Sequence, residues 1–237
     1  VAARAGKGTD QAVGRVSEFY MEELAGRRSQ VVSGELNNHF RHLENALGVL
    51  DESDLKSQES LRSFLGRTRR ILGVDKFAMV DEDGIVYAQH STTSGLSRYS
   101  FLSEELTGPV ISTTNLYGAK KQVILAMPVD GISFQGRQIK VCFIQINISD
   151  MLSSLTLQAS DNETYCNLYY RNGESLTNDD FGYLTAGKNV LSALEDAVME
   201  QESDYQKLRD DFANGRRGQI SFTYLGTEEV LCYVPIE

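Results

Sequence analysis

An α+β architecture is expected here: a long N-terminal helix, then two units of the same order, each a mostly antiparallel sheet flanked by helices. Three observations carry that expectation. Apolar residues recur at helical spacing, without proline, from Thr9-Asp10 to about Leu50. Beyond Gly73 the period shortens to that of strands punctuated by glycine turns. One phrase also occurs twice, as KQVILAMPVD at 121–130 and EEVLCYVPIE at 228–237, and each copy ends an apolar run on proline, an aliphatic and an acid.

In the first segment Leu36, Phe40, Leu43, Leu47 and Leu50 step by four and three, as Val13, Val16 and Tyr20 do by three and four. They share one face of a helix of about forty residues, roughly 60 Å long at 1.5 Å per residue. Ser53 or Asp54 is suited to cap a second helix through Leu55, Leu61, Phe64, Leu65, Ile71 and Leu72, with Gly73 as its stop. Asp51-Glu52-Ser53-Asp54 then supplies acids at a helix N-terminus; the glycine and closing glutamate of a calcium loop are missing.

KFAMV and IVYAQH flank the turn 81–84 and read as a hairpin. A Ser/Thr-rich stretch ends at Gly108-Pro109, and VIST, KQVILAMPV, a hairpin through 131–136 and RQIKVCFIQINI follow. That makes about five strands with a polar, partly helical insert over one face. The stretch 149–159 reads as a bridging helix, after which the order restarts with YCNLYY and the Asn172-Gly173 turn. Leu191, Leu194, Val198, Tyr205, Leu208 and Phe212 then predict one helix across 189–215, closed by Asn214-Gly215. GQISFTYLG and EEVLCYVPIE complete the second unit. The expected division is 1–72 for the two helices, 73–155 for the first unit and 156–237 for the second, whose sheet is expected to be smaller and to lack its last strand.

Composition narrows the function. With 41% hydrophobic and 24% charged residues, the chain is of ordinary globular type. A net charge of −10 with scattered Lys and Arg excludes a nucleic-acid partner and a broad contact with anionic lipid. Cys142, Cys166 and Cys232 sit singly, which is neither a disulfide framework nor a metal knuckle and predicts buried free thiols. No apolar run approaches the roughly 18 residues that span a bilayer. His39 and His42 share a helix face without a third ligand in step, so helix surface is expected. Neither GxSxG nor HExxH occurs, so no hydrolase is expected.

The segments VDEDGIVYAQH, SRYSFLSEELTGPVIST and VILAMPVDGISFQGRQIKVCFIQINIS, with YYRNGESLTN and VLCYVPIE in the second unit, resemble the double Cache family of extracytoplasmic, PAS-like sensor domains. The resemblance covers essentially the whole chain. It implies a module held between two membrane helices of a bacterial receptor such as a sensor histidine kinase, a diguanylate cyclase or a chemoreceptor. It implies a small ligand in the membrane-distal first unit and no cofactor, with the second unit nearer the bilayer and a membrane helix beyond Glu237. Carried over by motif, the ligand contacts are Arg98, Tyr99, Asn115, Tyr117 and Asn147. Members that bind amino acids carry a Trp where Ser100 stands and an Asp where Asn147 stands. Without that carboxylate a desolvated ammonium has no counter-charge, so amino-acid binding does not carry over, whereas Arg98 is suited to hold a carboxylate. A structural role stays open beside this: Arg98 paired with Glu104 or Glu105, and the tyrosines in the core. The long helix is expected to pair two copies, because its apolar face exceeds what one small domain buries. The competing expectation is a dimerisation or partner-sensing module without a small ligand.

Overall fold

In the computed structural model the first helix, α1, runs from Ala2 to Gly48. It starts earlier than Thr9-Asp10 because Ala2, Ala3, Arg4 and Ala5 are strong helix formers and extending an existing helix costs little. The structure describes residues 2–96, 98–103, 105–114, 122–147, 167–176, 189–200, 203–224 and 226–236, with side chains of α1 at residue 23 and from residue 25 onward.

Helix α2 spans Gln58–Leu72 and stops at Gly73, whose φ of 65° suits glycine and whose N–H meets the carbonyls of Arg69 and Arg70. Its cap is Ser57, whose hydroxyl accepts from the Ser60 N–H at 3.1 Å, and not Ser53 or Asp54. Those two are engaged elsewhere: Asp51 accepts from the N–H groups of Ser53 and Asp54 at 2.7 and 3.1 Å. The Asp54 carboxylate reaches forward to Arg67 on α2 at 3.1 Å. The acidic cluster is thus a side-chain-closed turn.

The first sheet contains β1 (Lys76–Asp81), β2 (Ile85–Ala88), β3 (Thr92–Ser94), β4 (Val110–Thr114), β5 (Gln122–Pro128), β6 (Ser133–Phe134) and β7 (Arg137–Asn147). The strand order is β3-β2-β1-β7-β5-β4, with β6 on β7 and every pairing antiparallel. A short 3-10 turn, Ser100–Ser103, lies in the insert between β3 and β4. At the β6–β7 hairpin Gln135 and Gly136 both have positive φ, 51° and 80°, as a two-residue turn of the primed kind demands. Helix α2 packs on β1 and β2, with Phe64 and Phe77 rings 6.1 Å apart.

In the second unit Asn172-Gly173 forms the expected turn, Gly173 at φ 83°, but its arms are reduced to isolated bridges such as Tyr169 with Ser175. The single helix expected across 189–215 is instead α3 (Val190–Leu194), β8 (Val198–Met199) and α4 (Tyr205–Asn214). The break opens after Leu194 and takes in both the four-residue step to Val198 and the one seven-residue step of the apolar series, from Val198 to Tyr205. There β8 joins the edge of β9 (Gly218–Tyr224), and Asp204 caps α4 through the Gln206 N–H. β10 (Thr227–Tyr233) completes the order β10-β9-β8 among the described residues. The expected helix at 149–159 lies outside them. Cys142 is buried as expected, whereas Cys232 is half-buried, its thiol 3.3 Å from the Gln219 side-chain oxygen.

The chain divides into two compact units, Glu35–Ser154 and Val1–Gly34 with Leu155–Glu237, so α1 contributes residues to both. In the latter, Ser29 donates to the Pro235 carbonyl at 2.6 Å. Each unit is tied by a buried aspartate that accepts from a tyrosine hydroxyl. Asp81 takes the Asp83 and Ile85 N–H groups at 3.0 and 2.9 Å and Tyr87 at 2.7 Å. Burial, and then the bond to Asp81, pushes the Tyr87 hydroxyl up to about 12. Asp211 on α4 takes Tyr233 of β10 at 2.8 Å, Lys207 at 2.7 Å and Arg216 at 3.0 Å. Gly218, opposite Tyr233 in the β9–β10 register, leaves the ring its space: a Cβ there would lie 2.3 Å from the hydroxyl.

Burial raises the Asp211 pKa, and the bonds from Lys207 and Tyr233 with the charges of Lys207 and Arg216 outweigh it, leaving it below the ordinary value. Its stabilisation is therefore present above the unfolded value of about 3.9 and lost as pH falls through the lower folded value. Tyr233→Phe is expected to cost about 1–3 kcal/mol in urea unfolding at pH 7. Asp211→Asn is expected to destabilise at pH 7, with the difference from the native chain shrinking below about pH 4; a difference independent of pH would show that the charge is not what matters.

Candidate functional site

Strand register sorts one face of the first sheet into rows of distinct chemistry. Val86, Val80 and Val141 form an apolar row across β2, β1 and β7. The next row is Ala88, Ala78, Phe143, Ala126 and Val110, so Phe143 has an alanine on either side. Side chains opposite one another on adjacent strands stand roughly 5 Å apart, and three alanines leave a depression around one ring. The insert fills it. Tyr99 and Phe101 pack on Phe143 with ring centres 5.0 and 5.5 Å away and 5.8 Å from each other, and Leu102, Leu106 and Val110 close its rim.

One step further along the strands the chemistry turns polar. Lys76, Gln145, Ile124 and Ser112 form the third row, and Asn147 pairs with Gln122 in the fourth. The Lys76 ammonium donates to the Tyr99 hydroxyl at 3.0 Å and lies 5.7 Å from the ring centre. Among the described residues it has no carboxylate within ion-pair distance.

The Gln145 amide is buried, at 3% exposure. Its nitrogen donates to the Gln122 oxygen, and the Gln122 nitrogen donates to Asp75 Oδ2 at 3.0 Å. Because a carboxylate only accepts, this chain fixes the orientation of both amides. It leaves Gln145 Oε1 buried with no donor among the described residues. An unsatisfied buried acceptor costs about 1–3 kcal/mol.

Beside these rows runs a groove of about 510 Å³. It is lined by Ser100, Phe101, Glu105, Pro109, Val110 and Ser112 among others, and Ser112 also closes the polar row. The face thus combines an aromatic plug, a polar end whose cation lacks an acid partner and whose buried acceptor lacks a donor among the described residues, and a groove along its β4 edge. Among its described residues nothing resembles a nucleophile, base and orienter set.

No family model matches the chain, and no curated protein does. Solved structures match over nearly its whole length. The ligand-binding domain of the chemoreceptor CtaA from Pseudomonas fluorescens, in complex with L-isoleucine, aligns with a TM-score of 0.66 at 14% identity over 97% of this chain and 90% of that one. The ligand-binding domain of PctB from Pseudomonas aeruginosa PAO1, an amino acid chemoreceptor in complex with L-Gln, gives 0.64 at 14% identity over 92% and 84%. The chain has the fold of a Cache-type sensor domain. The extracellular domain of mmHK1S-Z2, a protein named as a histidine kinase, shares this sensor fold at 0.64 and 11% identity, over 94% and 93%.

Within the sensor fold the expected contacts fall in different places. Tyr99 is buried in the aromatic plug with its hydroxyl at the polar row. Asn147 is half-buried at the end of β7, opposite Gln122. Arg98 is exposed, and no ion pair of its side chain occurs among the described residues. Asn115 and Tyr117 lie outside them. Sequence reasoning passed over Lys76, Gln122 and Gln145, although a glutamine inside the otherwise apolar run VCFIQI was a legible signal.

The depression is expected to be tightly filled. Phe143→Ala should cost about 3–5 kcal/mol in urea unfolding; a loss below about 1.5 kcal/mol would show that the rings are not packed as described.

Proposed function

We propose that this chain is the extracytoplasmic sensing region of a bacterial transmembrane receptor of the histidine-kinase kind. A small molecule binds in the first unit, on the face covered by residues 98–110, and the signal leaves through α1. The observation that carries the reading is the covered face itself, where polar groups with unused hydrogen-bonding capacity stand at the border of a closed aromatic cluster. Pockets with this division between apolar walls and a few convergent polar groups are typical of small-molecule sites.

The likeness to chemoreceptor ligand-binding domains and to an extracellular domain supports both the class and the location; a chemoreceptor or diguanylate cyclase output fits the same module. No helix among the described residues is long and apolar enough to cross a membrane; a tether in segments outside this sequence is part of the proposal. Arg98, Tyr99, Asn115, Tyr117 and Asn147 are the proposed ligand contacts. The presence of α1 residues in both units supports it as the path of the signal, and the same helix is proposed to pair two copies. A second reading draws on the aromatic plug: a face filled by Tyr99, Phe101 and Phe143 suits a module that answers to a partner protein or only dimerises.

Thermal unfolding with a panel of carboxylates, amino acids, amines and sugars separates the two. The sensing reading expects at least one compound to raise Tm by about 4 °C or more at a hundredfold excess over Kd, and Arg98→Ala to weaken that compound. No shift with any class favours the second reading, and an unchanged affinity in the variant removes Arg98 from the contacts.

A further inference from the structure

Gln145 stands out among the inward-facing residues of β7. Between Val141 and Ile146 every other side chain is apolar or a thiol, and β1 and β5 place Lys76 and Ile124 directly beside it. The amide chain that starts at Asp75 commits the Gln145 nitrogen to Gln122. The oxygen left over needs a donor that no described residue provides. On the same row the Lys76 ammonium rests against the Tyr99 hydroxyl without an acid partner among the described residues, and no described acceptor takes the Tyr99 hydroxyl proton. The row therefore offers two donors, one of them charged, and one acceptor.

From this we infer that the polar row selects the ligand, and that the ligand is a small carboxylate carrying a neutral hydrogen-bond donor, such as a hydroxyl, next to its acid group. The inference rests on the ligand-sensing reading above and narrows it. The carboxylate meets the Lys76 ammonium and the Tyr99 hydroxyl, a charge-assisted pair of contacts. The neighbouring hydroxyl donates to Gln145 Oε1, which removes the cost of leaving that acceptor unpaired. An ammonium in the hydroxyl's place would stand beside the like charge of Lys76, and none of the described residues of the row, Lys76, Gln145, Ile124 and Ser112, is an acid. A plain carboxylate would leave the acceptor as it is. A site whose buried polar group expects a partner rejects the analogue that lacks it.

Three compounds on one skeleton test this by calorimetric titration of the full chain: L-lactate, propionate and L-alanine, which differ at a single substituent. L-lactate is expected to bind at least about tenfold more tightly than either of the others. Lys76→Met is expected to weaken L-lactate by about tenfold or more, and Gln145→Met to bring L-lactate and propionate to within about threefold of each other. Propionate or L-alanine equal to L-lactate on the native chain would overturn the inference, as would L-lactate binding unchanged in Lys76→Met. The comparison on the native chain decides even if Gln145→Met does not fold. If none of the three binds while another class in the broader panel raises Tm, this inference falls and the sensing reading stands. If no compound of any class binds, both fall.

Discussion

Strand β7 is flanked by β1 and β5 and buried on both faces across 141–146, and each of its inward residues sets the chemistry of a whole row. Val141 heads the apolar row, Phe143 the row of alanines and Gln145 the polar one. A one-residue slip of the register would turn Cys142 and Ile144 to this face and send Phe143 and Gln145 to the other. The site therefore depends on a register that the hydrophobic pattern and the Gln135-Gly136 turn hold in place. Tyr99 and Phe101 then find a depression of their own size, because the residues beside Phe143 are alanines and not branched aliphatics.

Much of this was legible in the sequence, and the limits have physical causes. Strands β1, β2, β5 and β7 stood out because their β-branched and apolar runs are bounded by glycine turns. β3 and β6 did not, because strands of three and two residues exist only through their pairing partners. The break between α3 and α4 was hidden because a seven-residue step is compatible with two uninterrupted helical turns, and only the pairing of β8 with β9 decides against them. At the site, Tyr99 and Asn147 came from motif position. Lys76, Gln122 and Gln145 required cross-strand register, since a polar residue in a strand acquires meaning from what stands beside it on the neighbouring strands.

The two units share a device that the sequence did not reveal. A buried aspartate in each gathers a tyrosine hydroxyl and one or more basic groups, Asp81 with Tyr87 and Arg137, Asp211 with Tyr233, Lys207 and Arg216. In the first unit this closes the β1–β2 turn; in the second it fastens the last described strand to α4. The Asp81 tie stands at the opposite end of β1 from Lys76 and the Asp211 tie belongs to the other unit, so the scaffold can stay fixed while a ligand acts on the covered face. A ligand there shifts a receptor only by the difference in its affinity for the receptor's two states. The orphan acceptor of Gln145 makes such a difference available, since a state in which it is satisfied is favoured over one in which it is not.

The central claim is that the polar row of the first unit is where a small molecule is held. Amide resonances of the nitrogen-15-labelled chain, titrated with L-lactate, test it most directly. The account predicts shifts concentrated at Lys76, Ala78, Tyr99, Phe143 and the side-chain amide of Gln145, with α4 and β9 unmoved. Shifts confined to the second unit, or resonances of the covered face that stay in place while others move, would contradict it.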